Sequence, residues 1–87
     1  MSEAVSENIK DYLMREFLPG ENPDELTTTT PLITGGSLDS IAALKLVIFL
    51  EEAYGVAFEA HEVNRENLDT IARIVHLLIS KKPALAQ

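Results

Sequence analysis

Apolar positions along the chain fall into three blocks with a helical repeat. From Glu3 to Leu18 the residues Val5, Ile9, Tyr12, Leu13 and Phe17 recur at spacings of three and four, which predicts one helix with a single buried stripe. Pro19-Gly20 ends it. A second helix is predicted over Asp39 to Tyr54, a segment rich in Ala, Leu, Lys and Glu, with Gly55 as its terminating glycine. The third block places Ile71, Ile74, Val75 and Leu78 on one helical face, with Asp69 or Thr70 as the cap. Between these blocks, Ala60 to Asn67 suits a short helical turn, and Val56-Ala57-Phe58 is too brief to make a sheet. Residues from Gly20 to Leu38 include Pro23, Pro31, Gly35, Gly36 and the threonine run Thr27 to Thr30, and they carry no helical period. A long loop is expected there, fastened by Leu26, Leu32 and Ile33. Pro83 breaks the last segment, so the tail 81–87 is expected to fray and the ordered core to span about residues 3–80. The expected architecture is all-α: a single domain over residues 1–87, built as a small four-helix bundle of three main helices, one short helix and a long loop between helices 1 and 2.

The second helix has one apolar face more than a bundle requires. At about 100° per residue, Ala43, Leu46, Val47, Leu50 and Tyr54 gather on one side, and Ile41, Leu44 and Ile48 gather on nearly the opposite side. That second strip either lies against the long loop or stays exposed as a docking surface. Glu51 and Glu52 flank it, which favours docking, because buried faces rarely carry adjacent carboxylates. Ser40 sits in the first turn beside the strip, directly after Asp39. The unpaired N–H groups and positive dipole at a helix start suit a phosphate ester there.

Composition narrows the function classes. Seven Lys and Arg against fourteen Asp and Glu give a formal net charge of -7, which disfavours nucleic acid or anionic lipid and favours a basic protein partner. There are no cysteines, hence neither a disulfide framework nor a thiol of the chain's own. No segment reads as a secretory signal or a membrane span, so a cytoplasmic protein without membrane insertion is expected. Neither serine of Ser37-Leu38-Asp39-Ser40 lies in a nucleophile elbow, and His61 and His76 make no recognised metal-ligand spacing. Gly35-Gly36 lacks the spaced glycines and Lys-Ser/Thr of a phosphate-binding loop. Glu51 and Glu52 diverge as helix neighbours and make no acid–base dyad. No catalytic residue is therefore expected, and the chain is not expected to be an enzyme.

The run Gly36-Ser37-Leu38-Asp39-Ser40-Ile41, followed by Leu44, Leu46, Val47, Leu50, Glu51 and Glu52, resembles the acyl carrier proteins and related peptidyl or aminoacyl carrier domains. The resemblance covers nearly the whole chain and implies the acyl-carrier type of helical bundle. It implies that Ser40, after Asp39 and before an apolar residue, receives 4'-phosphopantetheine from coenzyme A as a phosphodiester. The arm's thiol would then carry an acyl or aminoacyl group as a thioester, the sulfur that the sequence lacks. It also implies that Asp39, Ile41, Leu44, Ile48, Glu51 and Glu52 meet partner enzymes: a phosphopantetheinyl transferase, an acyl- or aminoacyl-activating ligase and a downstream synthase or transferase. Lys45 within the second helix and the weakly acidic segment after Gly55 depart from many fatty-acid-synthesis carriers. The pattern is more similar to stand-alone carriers of aminoacyl or specialised acyl groups, D-alanyl carriers among them. A monomer is expected, and Ser37 is left with a turn or capping role. The rival expectation is a small acidic helical adaptor whose Ile41, Leu44 and Ile48 bind a partner helix with no prosthetic group.

Overall fold

The computed structural model describes residues 3–18, 20–36 and 38–86, so Pro19 and Ser37 lie outside the described residues and their expected turn roles are left there. Four α-helices follow one another: α1 (Glu3–Glu16), α2 (Ser40–Tyr54), α3 (Arg65–Leu68) and α4 (Ile71–Lys81). Single 3-10 turns occur at Pro23–Glu25, Ala60–Glu62 and Pro83–Ala86, and no strand forms among the described residues.

The starts of α2, α3 and α4 each have a side chain that satisfies a free backbone donor. Asp39, in an extended conformation, accepts from the Ala42 N–H at 2.8 Å and so caps α2. Thr70 caps α4 through the Arg73 N–H at 3.1 Å. Asn64 caps α3 through the Asn67 N–H at 2.8 Å. One turn of helix as short as α3 would not persist alone, and it is held by that cap, by the Asn67 amide donating to the Glu62 carbonyl, and by buried Leu68. At the other end of α2, Gly55 takes the left-handed conformation at φ 65° and returns its N–H to the Glu51 carbonyl.

The core draws one stripe from each helix. Ile9 and Leu13 of α1, Leu46 and Leu50 of α2, Leu68 of α3, and Ile71, Ile74 and Leu78 of α4 are all fully buried, joined by Leu32 from the long loop. Leu26 is buried and Ile33 half-buried, so the three predicted anchors do hold the loop down. Tyr12, Phe17 and Tyr54, grouped with the buried stripes by periodicity, are instead half-buried against the core's rim. Amphipathic rings explain this position: Tyr12 stacks on Phe49 at 4.0 Å and donates its hydroxyl to the Lys45 carbonyl, and the Tyr54 hydroxyl accepts from Asn8.

The segment expected to fray makes contacts with its neighbours as far as Leu85. Lys81 pairs with Glu62 and lies 5.3 Å from the Phe58 ring centroid, the Lys82 ammonium donates to the Tyr54 carbonyl at 2.9 Å, and Leu85 packs on the core from the last 3-10 turn. Pro83 ends α4 without releasing the chain, because an apolar residue and two cations beyond the periodic stripe find partners on neighbouring segments.

Candidate functional site

The second apolar strip of α2 is exposed, not covered by the loop. Ile41 is 67%, Leu44 55% and Ile48 46% exposed, and they are the exposed large hydrophobic residues of the described chain. Their opposite face, Ala42, Ala43, Leu46, Val47 and Leu50, is buried. The helix therefore faces both the core and the solvent with apolar surface.

Ser40 is the first residue of α2 and is exposed. Its hydroxyl has no hydrogen-bond partner among the described residues. It opens onto a cleft of about 510 Å³ lined by Ile33 and Leu38 of the long loop, Asp39, Ala43 and Leu44 of the α2 start, and Val63, Asn64, Arg65 and Leu68 around α3. The walls are mainly aliphatic. Arg65 is the cationic residue in that lining, which otherwise carries the carboxylate of Asp39.

Of the other residues singled out from sequence, Glu52 joins the strip and Glu51 does not. Glu52 is exposed and lines a shallow hollow with Ile48, Phe49, Lys45 and Tyr12. Glu51 is half-buried and turned away, its carboxylate accepting from the Phe58 N–H at 2.8 Å. The carboxylate expected at the docking surface is thus engaged within the chain. After Gly55 reverses the chain, the segment 56–58 runs back past the last turn of α2 and presents a donor that needs an acceptor. Asp39 is likewise occupied as the α2 cap, which makes it a support for Ser40. Glu52→Lys should therefore leave the melting temperature unchanged, whereas Glu51→Lys should cost about 1 to 2 kcal/mol by orphaning the Phe58 N–H. Thermal denaturation of the two variants checks this, and equal stability would place both carboxylates on the solvent face.

By residue type Asp69 is only an alternative cap for α4, and the structure gives it another task. Its carboxylate accepts from the Ile33 N–H, the Thr34 N–H and the Thr34 hydroxyl, each at 2.9 Å. The Thr34 N–H foremost, then that residue's hydroxyl and the Ile33 N–H, hold the Asp69 carboxyl below the usual carboxylate range. One signal in the sequence pointed here: Asp69-Thr70 presents two capping residues to one helix start, and a helix needs only one. Arg65 and the Tyr12–Phe49 stack gave no signal, because their significance depends on neighbours distant in sequence.

A scan against protein-family models finds no match for the chain, and a search of curated proteins finds none either.

Proposed function

We propose that the chain is an acyl or aminoacyl carrier protein of the four-helix type, carrying 4'-phosphopantetheine on Ser40 and shuttling a thioester-bound cargo between enzymes. The observation that carries this is the pairing of an exposed serine hydroxyl, unpartnered among the described residues at the start of α2, with an exposed apolar strip on the turns that follow it.

The residues present suit the group. The α2 start offers the positive end of a fifteen-residue helix to a phosphodiester, and Arg65 adds a cation to the same cleft. The aliphatic walls from Ile33, Leu38, Val63 and Leu68 give an attached pantetheine chain or its cargo apolar surface to lie against. Attachment forms a bond between Ser40 Oγ and the phosphorus of coenzyme A's pantetheine phosphate and breaks that phosphorus's bond to the bridging oxygen. The nucleotide bisphosphate leaves, and the serine proton passes to a base on the transferase. When bound, the arm supplies the thiol that forms the cargo thioester. The chain's own residues hold Ser40 in place: the Asp39 cap fixes the first turn, and Ala43, Leu46 and Leu50 seat the helix on the core.

Ile41, Leu44 and Ile48, with Glu52 at their edge, form the surface for the transferase, the activating ligase and a downstream synthase or transferase. The excess of carboxylates over cations favours partners with basic faces around an apolar centre, and such contacts are transient and salt-sensitive. An adaptor without a prosthetic group would use the same strip but gives the exposed Ser40 and its cleft no role. Incubation with a phosphopantetheinyl transferase and coenzyme A, followed by intact-mass measurement, separates the two: a carrier gains one phosphopantetheine, and an adaptor gains nothing.

A further inference from the structure

One residue at the junction of α3 and α4 fastens the segment that leads into Ser40. The Asp69 carbonyl accepts from the Leu32 N–H at 2.6 Å, and its carboxylate accepts from the next two backbone N–H groups, Ile33 and Thr34, and from the Thr34 hydroxyl. Three consecutive loop donors thus end on a single residue more than thirty positions away in sequence. A second tie, the Ala72 N–H donating to the Thr28 carbonyl at 2.9 Å, holds the loop upstream against the same helix start.

The held segment is short of Ser40 by only a few residues and is tightly folded. Leu38 donates its N–H back to the Leu32 carbonyl at 2.9 Å, closing a compact turn, and its side chain is buried. Gly35 passes so close to Pro31 that a Cβ there would overlap the Pro31 carbonyl oxygen, so the turn as folded has no room for a side chain at this position. Asp39 follows with its cap, and Ser40 follows Asp39. Ile33, which an Asp69 bond holds, and Leu38, whose N–H bonds to the carbonyl of the Leu32 that Asp69 also holds, are walls of the cleft that Ser40 opens onto. The loop wall and the α3 wall of that cleft are therefore tied together at Asp69.

We propose that Asp69 is a positioning residue for the modification of Ser40: by binding residues 32–34 to the α3–α4 junction it fixes the cleft wall and the approach to the first turn of α2, so that a transferase meets the serine in one preset geometry. This rests on the carrier role proposed above. Among the described residues Asp69 makes no hydrogen bond to Ser40 or to the docking strip, so its loss acts on orientation and leaves the docking surface intact. A misplacement of about 1 Å at a reacting atom is enough to lower a rate by orders of magnitude. The effect belongs in kcat, with KM for the carrier nearly unchanged, in contrast to changes on the strip, which act on KM.

Phosphopantetheinylation kinetics of the wild type, Asp69→Ala and Asp69→Asn, followed by intact mass at a temperature where circular dichroism shows all three folded, test this. Asp69→Ala removes the three side-chain bonds and should lower kcat about tenfold. Asp69→Asn keeps an oxygen for the Ile33 and Thr34 N–H groups and offers its amide to the Thr34 hydroxyl, so it should restore most of the rate. A folded Asp69→Ala protein with wild-type kcat overturns the proposal, and so does an Asn variant as slow as the Ala variant. If Asp69→Ala does not fold, Thr34→Val carries the test by removing one bond: kcat about two- to threefold lower is expected, and no change overturns it. A wild-type protein that gains no mass instead defeats the carrier role itself, an outcome distinct from a modified wild type whose Asp69 variants behave normally.

Discussion

Replacing Ser40 with alanine is expected to abolish the mass gain completely and to leave the fold as stable as before. Both halves follow from where the residue stands. The oxygen that would bond to phosphorus is lost with the hydroxyl, and no other group of the first turn can substitute, because the Asp39 carboxylate is engaged with the Ala42 N–H. The cap of α2 is Asp39 and not Ser40, so the substitution removes no capping bond. Alanine has higher helix propensity than serine, and an exposed site of this kind moves stability by no more than about 0.5 kcal/mol. Intact mass after incubation with transferase and coenzyme A, alongside a thermal melt, reads both quantities. Ser37→Ala, made in parallel, should gain the same mass as the wild type. A gain that survives Ser40→Ala and disappears in Ser37→Ala would move the attachment point from residue 40 to residue 37 and leave the exposed strip out of register with it.

How far the sequence already contained this site depended on the range of the interaction that decides each residue. The α2 register was legible because a 3.6-residue repeat fixes angles: it separated Leu46 and Leu50 from Ile41, Leu44 and Ile48 correctly, and burial divides the same two sets. Caps were legible for the same local reason, with Gly55 and Thr70 performing the roles their residue types favour. Periodicity alone left open whether the second strip was covered, since that depends on where the long loop runs. The loop runs elsewhere, held at Leu32 by the Asp69 carbonyl and at Thr28 by Ala72. Glu51 shows the limit most clearly. Its angle lies near the strip, but the chain returning after Gly55 brings the Phe58 N–H to it, and no repeat within α2 encodes that return. Lys81, Lys82 and Leu85 carry no such local signal: two lysines before a proline and one leucine after it are in no repeat, and their partners, Glu62, the Tyr54 carbonyl and the core, lie on distant segments.

The two faces of α2 should separate most sharply when Leu46 and Ile48 are truncated in turn. Leu46 is fully buried among residues of the core, so Leu46→Ala removes buried methyl groups and leaves a cavity that close-packed neighbours fill only in part. A loss of about 2 to 5 kcal/mol is expected, a large share of the roughly 5 to 15 kcal/mol that stabilises a domain. For a chain of this size each 1 kcal/mol lowers the melting temperature by about 4 to 8 °C, so the variant should melt on the order of 10 °C or more below the wild type. Ile48→Ala, at a position 46% exposed, should change the melting temperature little and should instead raise KM for the transferase. The reason is that the Ile48 side chain stays in water until a partner covers it, so its apolar area contributes to association more than to folding. Equal destabilisation by both substitutions would mean that α2 is rotated relative to the core. An unaltered KM with Ile48→Ala would mean that the transferase docks elsewhere, and the hollow formed by Tyr12, Phe49 and Glu52 beside Ile48 would then be the next surface to vary.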